Sequence, residues 1–183
     1  MDNADKVLSL YETDTRVIVR GKAGAQVEFG NPLFLAEQAD GVIVDWQLHC
    51  ASAPADPRQL APSLQRMERA YGVGVIRSLG ADRGFCSAAN QALLKGKEIY
   101  DGICPKQPAR LKERRAEIRF VQLQRRRSQT EARLAIFKNG FLGRPLRAKG
   151  FEHREMAVGW QVLTHNLWVL ARLEQKQELA LAA

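Results

Sequence analysis

The chain has 183 residues, 45% of them hydrophobic and 26% charged, and carries a net charge of +8. That balance excludes a disordered chain and predicts one globular domain with a real core. No apolar run approaches the roughly 20 residues that cross a bilayer, and "MDNADKVLSLYETD" lacks a signal-peptide pattern, so neither a membrane protein nor a secreted one is expected.

In chain order, "TRVIVRGKAG" predicts a short strand leaving into a Gly-Lys turn. "VEFGNPLFLAEQADGVIVDWQLHC" predicts two apolar strands around Asp40-Gly41, a hairpin. In its second arm Val42, Val44, Trp46 and Leu48 share one face, and Ile43, Asp45, Gln47 and His49 share the other. "SAPADPRQLAPSLQRM" opens a helix that runs to about Tyr71, with Gly72 as its stop. "GVIRSLGADRGF" predicts a short strand ending at Asp82, and Ser87 caps a helix through about Lys97. Another short strand is expected over Gly102 to Pro105. Residues 111–138 predict a helix stopped by Asn139-Gly140, followed by a loop, a helix from about Glu152 to Lys176, and a tail over 177–183. Alternating strands and helices favour an α/β sheet over a bundle, with a helical C-terminal part.

The charge is unevenly placed. Between Lys106 and Lys149 fourteen Lys and Arg face three acids, a local +11 that leaves −3 for the remainder. One basic segment predicts a polyanion-facing surface, with a solvated helix face as the plainer alternative. Cys50, Cys86 and Cys104 are odd in number and lack a C-x-x-C spacing, so reduced, buried thiols in a cytoplasmic protein are expected.

Two carboxylates stand out. Asp82 closes an α/β strand, the place where such folds put ligands, and its plainer role is to cap the next turn. Glu131 lies in a basic helix. At 100° per residue Arg127 falls 40° from it, and Gln124 and Lys138 fall 20° from it. Leu134, Phe137 and Phe141 form an adjoining stripe that could anchor this helix on a sheet. A carboxylate in that posture suits a shared divalent ion with cationic neighbours on phosphate; an ion pair with Arg127 is the plainer use. His165 reads as a satisfied core or helix-surface histidine, the tryptophans Trp46, Trp160 and Trp168 as core residues, and Ser87 as a cap rather than a nucleophile.

Asp-x-Gly-aromatic-x-Ser-x-x-Asn from Asp82, followed by Arg127-x3-Glu131-x6-Lys138, resembles the catalytic domain of bacterial insertion-sequence transposases of the DDE type. Their signature carries a tyrosine where this chain has Gln124. "GK…EFG" and "THNLWVLARL" are similar to further family segments; the likeness spans roughly Lys6 to Leu173, and an incomplete catalytic domain is expected over residues 6–176. It implies a ribonuclease-H-like mixed sheet with flanking helices, and metal-dependent cleavage and strand transfer on double-stranded DNA. It also implies two Mg²⁺ or Mn²⁺ ions, with Asp82 as second acid and metal ligand and Glu131 as third. Arg127 and Lys138 would hold phosphates, with Arg125, Arg126 and Arg133 beside them.

The family's first aspartate sits on a strand upstream of the "GK…EFG" hairpin. Here only Asp2, Asp5 and Asp14 precede it, none inside an apolar strand, so a truncated chain without its first strand and first acid is expected. Asp45 is the one in-strand substitute, with an ordinary exposed strand aspartate as its plainer reading. The alternative function is a non-catalytic DNA-binding product that dampens a full-length transposase, alone or in mixed assembly. A basic RNA- or DNA-binding domain of unrelated origin is the third.

Overall fold

A computed structural model describes residues 15–22, 25–143 and 146–181; Asp2, Asp5, Asp14 and the start of the domain expected at residue 6 lie outside them. The chain divides into two compact units, Met1–Ala53 with Ile136–Ala183, and Pro54–Ala135. No helix among the described residues is long and apolar enough to cross a membrane. Instead of one mixed sheet, the described strands form three two-stranded pairs: β1–β2 and β3–β4 antiparallel, β5–β6 parallel. The α/β class holds.

In the first unit β1 (Arg16–Lys22) pairs with β2 (Ala25–Gly30). "VEFG" therefore completes this hairpin rather than the next one. β3 (Leu33–Glu37) and β4 (Ile43–Leu48) turn at Asp40-Gly41 as predicted. Gly41 takes φ 102°, a backbone state that costs glycine no Cβ clash. Strict alternation in β4 fails, because Ile43 and Leu48, of opposite parity, both join one core with Phe137, Val158 and Val162. Asp45 is only 7% exposed, which corrects its reading as an ordinary exposed strand residue; on the same face Gln47 stays exposed.

The long helix α5 (Phe151–Leu181) presents Arg154, Val158, Val162, His165 and Val169 to the interior, a 4-4-3-4 spacing along one face. It extends through residue 181, past the expected stop at Lys176 and into the alanine-leucine tail. Gly159 lets the Trp46 ring approach, since a Cβ there would lie 3.3 Å from Trp46 Cζ2. His165 is buried as expected, packed edge-on to Phe137 and Phe141 with ring centroids at 5.5 and 5.1 Å. Trp160 and Trp168 depart from the core reading, at 62% and 40% exposed. The neighbouring Asn166 has a definite task. Its Oδ1 accepts from the Ile43 N–H and its Nδ2 donates to the Ile43 carbonyl, both at 2.8 Å, so one side chain satisfies both backbone groups of a buried strand residue.

In the second unit α1 (Asp56–Tyr71) buries Leu60, Leu64 and Met67, one apolar stripe. The helix ends as predicted, with Gly72 donating its N–H to the Glu68 carbonyl. Ser87 caps α2 (Ala88–Gly96) by accepting from the Asn90 N–H at 3.1 Å. Lys97 bonds both oxygens of Glu68, at 2.8 and 2.7 Å, and so ties α2 to α1. The helix expected over 111–138 is broken into α3 (Pro108–Arg114) and α4 (Ile118–Ile136), and a π-helical turn over Phe137–Leu142 replaces the stop at Asn139-Gly140. The three cysteines are free and half-buried, less enclosed than expected.

Replacing Asn166 with leucine should leave the N–H and carbonyl of Ile43 unpaired beside the core. A loss of about 1–3 kcal/mol is expected, read from urea unfolding; unchanged stability would show that water or a neighbour takes over both bonds.

Candidate active site at the β5–β6 edge

β5 (Ser78–Ala81) and β6 (Tyr100–Ile103) pair in parallel, from Ser78 opposite Tyr100 to Ala81 opposite Ile103. Parallel neighbours need a crossover, which the segment holding α2 provides. α4 lies directly on this pair because glycines face it. A Cβ on Gly102 would sit 2.7 Å from Leu123 Cδ1, and one on Gly80 would sit 3.4 Å from the Leu123 carbonyl oxygen. The helix is thus anchored by Leu123 and the fully buried Phe120. Of the stripe predicted to do this, Phe137 and Phe141 pack instead in the core of the first unit.

Two contacts fix the direction of α4. Near its start Arg119 donates to the Arg77 carbonyl at 3.0 Å, just ahead of β5. One and a half turns later Gln124 Nε2 donates to the carbonyls of Ala81 at 3.2 Å and Gly102 at 2.6 Å, where both strands end. The helix therefore runs the same way as the strands. Glu131, seven residues beyond Gln124 and on the same stripe, is carried about 10 Å further along the axis, past the strand ends. Asp82 follows Ala81 at that same edge. Both side chains are exposed.

Asp82 also performs the plainer role foreseen for it. Its Oδ1 accepts from the Gly84 N–H at 2.8 Å and caps the 3-10 turn Arg83–Phe85. That engages one oxygen. On the other side of Gly84 lies Asp56, the first residue of α1, whose carboxyl is held above the ordinary carboxylate range, first by burial and then by the negative charge of Asp82. A Cβ on Gly84 would overlap Asp56 Oδ2 and lie 3.0 Å from Asp82 Oδ1. Asp56 was not singled out from the sequence, where "PADP" reads as helix punctuation; nothing local links it to a residue 26 positions on. These donors are hard oxygens and suit Mg²⁺ or Mn²⁺. No group of three or more His, Cys, Asp or Glu gathers in metal-holding geometry among the described residues.

The basic residues sort into separate uses. Arg127 does not turn to Glu131; its Nε donates to Gln124 Oε1 at 3.3 Å. Arg126 donates to Gln129 at 2.8 Å, Arg125 is exposed, and Arg133 is half-buried. Lys138 lies in the π-helical turn, within the first unit, so the 100° spacing that placed it on the Glu131 stripe does not reach it. Arg114 and Arg119 serve the fold. Their guanidinium carbons stand 5.2 and 4.3 Å from the centre of the Tyr100 ring, and Arg114 bonds both oxygens of Glu117 at 2.9 Å.

Tyr100 donates its hydroxyl to Glu117 at 2.5 Å. Burial, then this bond, raises the phenol; the same bond is the main cause of the lowered Glu117 carboxyl. The lowered acid stabilises the fold above the ordinary carboxylate range and loses that effect as pH falls through its folded value. The raised phenol does the opposite, stabilising below the ordinary tyrosine value and losing it as pH rises. Tyr100→Phe should therefore lower the melting temperature near neutral pH and flatten its decline at both extremes. A melting profile parallel to wild type would contradict this.

The transposase DDE domain family model matches residues 31–167, three quarters of the chain. The protein belongs to that family, whose function is DNA transposition and whose members generally use divalent metal ions. No curated protein and no solved structure matches the chain.

Proposed function

We propose that this chain performs metal-assisted phosphoryl transfer on double-stranded DNA, cleavage and strand transfer, from a ribonuclease-H-like edge formed by β5, β6 and α4. The observation that carries this reading is the double hydrogen bond of Gln124 to the ends of both strands, which directs Glu131 past the edge where Asp82 stands. Asp82 and Glu131 would hold the divalent ions. When bound, such ions polarise the phosphoryl group and lower the pKa of the attacking hydroxyl or water.

The protein's own contribution is placement. Arg127, braced through Nε by Gln124, offers its terminal nitrogens to a phosphate oxygen, and a bidentate grip there would hold the scissile group in line for attack. Arg125, Arg126 and Arg133 follow the strand on either side, and Lys138 contacts phosphate from its own unit. Lys106, Arg110, Lys112 and Arg115, all exposed, widen the basic surface. Asp45 is assigned no part, since it is buried in β4. Self-association, or assembly with a longer relative, would bring two such sites to two DNA ends.

The exposed cations also favour a second reading, in which DNA is bound without chemistry and a full-length transposase is dampened by competition. One experiment separates the two. In Mn²⁺, wild type should nick supercoiled plasmid, and Asp82→Ala and Glu131→Ala should each reduce the rate at least a hundredfold while leaving duplex affinity within about threefold. Arg125→Ala should weaken binding on all sequences alike and shave about 1 from the salt slope. Binding without nicking by wild type would establish the second reading; nicking that survives both acid substitutions would overturn the first.

A further inference from the structure

α5 carries two apolar faces, and the core of the first unit uses one of them. Arg154, Val158, Val162, His165 and Val169 turn inward, while Met156, Trp160, Leu163, Leu167 and Leu170 stand 56, 62, 48, 59 and 51% exposed. At 100° per residue the outer five fall within roughly 80° of arc, centred about 160° from the buried face. Around them the helix has no charge: Glu155 and Arg172 bound sixteen residues without an Asp, Glu, Lys or Arg. A single exposed leucine is ordinary on a protein surface. A helix that is apolar on both sides is one that is covered on both sides.

The spacing says what kind of surface covers it. The outer residues are separated by four, three, four and three positions, the 3.5-residue period at which one helix meets another along a seam. Flanking the seam are Ala157, Gly159, Thr164, Asn166, Ala171 and Leu173, all uncharged, so two copies brought together set no like charges against each other. At its N-terminal end Met156, Ala157 and Trp160 line a hollow with Ala148, Lys149 and His153, a seat for a side chain of the opposite helix beside an exposed tryptophan. Taking roughly 200 Å² for each outer side chain, the exposed fractions come to about 550 Å² per copy and about 1,100 Å² for a pair, above the roughly 1,000 Å² expected of a specific interface. Two heptads are short for a free-standing coiled coil, but the inner face already holds α5 as a helix, so pairing need not supply the cost of forming one.

The pattern also selects the partner. Among the described residues the other large apolar side chains that stand exposed are Tyr71, Val73, Val75, Ile118 and Ile136, none of them in a run at helical spacing. Val7, Leu8, Leu10 and Tyr11, as a helix, would span little more than one turn, against about four for the stripe. The stripe's match in length and period is the stripe itself.

We propose that the outer face of α5 is a self-association surface, on which the same face of a second copy packs helix to helix. This gives the self-association named above a location, and it stands apart from the metal chemistry, which other residues carry.

Sedimentation equilibrium of the whole chain, free of nucleic acid and in high salt so that neither DNA nor surface charge bridges the copies, tests the assignment. At micromolar concentration wild type should sediment at twice its 20.5 kDa. Leu163→Glu and Leu167→Glu should each raise the dimer Kd roughly a hundredfold, because each buries carboxylates in the seam without partners. Both positions are exposed in the single chain and glutamate forms helix about as readily as leucine, so circular dichroism should show the fold retained. Val73→Glu, an apolar-to-acid change at an 84% exposed position outside α5, should leave the Kd unchanged. A wild type that is monomeric at every concentration, or a dimer indifferent to both α5 substitutions, would overturn the inference. A dimer broken by them that never nicks plasmid would uphold it while the enzymatic reading fails; nicking by a strictly monomeric chain would do the reverse.

Discussion

A single primary amide holds the candidate site together. Gln124 donates to the carbonyl of the last residue of β5 and to that of the next-to-last residue of β6 and accepts from Arg127, so it fixes the position of α4 along the sheet, its rotation, and the brace of one cation at once. The Ala81 carbonyl already accepts the Cys104 N–H at 3.0 Å, so the amide adds a second bond there and joins both strands to the helix at one point. Because Glu131 follows on the same stripe, any slippage at Gln124 would rotate the carboxylate away from the edge. Close approach through Gly80 and Gly102 makes the contact possible, since larger residues would lift the helix off the strands.

Much of this was legible in sequence because it is governed locally. The Gly72 stop of α1, the Ser87 cap, the Asp40-Gly41 turn and the strand that ends before Asp82 each follow from one or two residues whose backbone preference decides the matter. Failures came where distant packing overrides local pattern. The 3.6-residue period across 111–138 is continuous, yet the chain breaks at Arg115–Glu117, where Arg114 and Arg119 swing onto the Tyr100 ring. Asp45 looked solvent-facing by alternation, but Ile43 and Leu48, of opposite parity, enter the same core, so burial in this strand does not follow strict alternation and only Gln47 stays exposed. Asn166 lies in the segment similar to the family's, but its task, pairing both backbone groups of a residue 123 positions earlier, has no local signature.

The basic segment likewise carries more than one function. Its charge suggests a uniform polyanion-binding face, but two arginines are committed to an aromatic and carboxylate cluster that joins α3 to α4. Of the segment's cations, Lys106, Arg110, Lys112, Arg115 and Arg125 remain exposed. Cations committed to the fold and exposed cations are thus interleaved along one stretch, which is why charge counting overstates the surface that is free to meet a polyanion.

The account stands or falls on whether Asp82 and Glu131 share a metal ion. Anomalous diffraction from crystals grown or soaked in Mn²⁺ addresses this directly. A peak within about 2.3 Å of a carboxylate oxygen of Asp82, with Glu131 in the same coordination group, is the predicted result. Density on neither residue, or a peak on Asp82 with Glu131 turned from it across the helix, would contradict the placement of the active site at the β5–β6 edge.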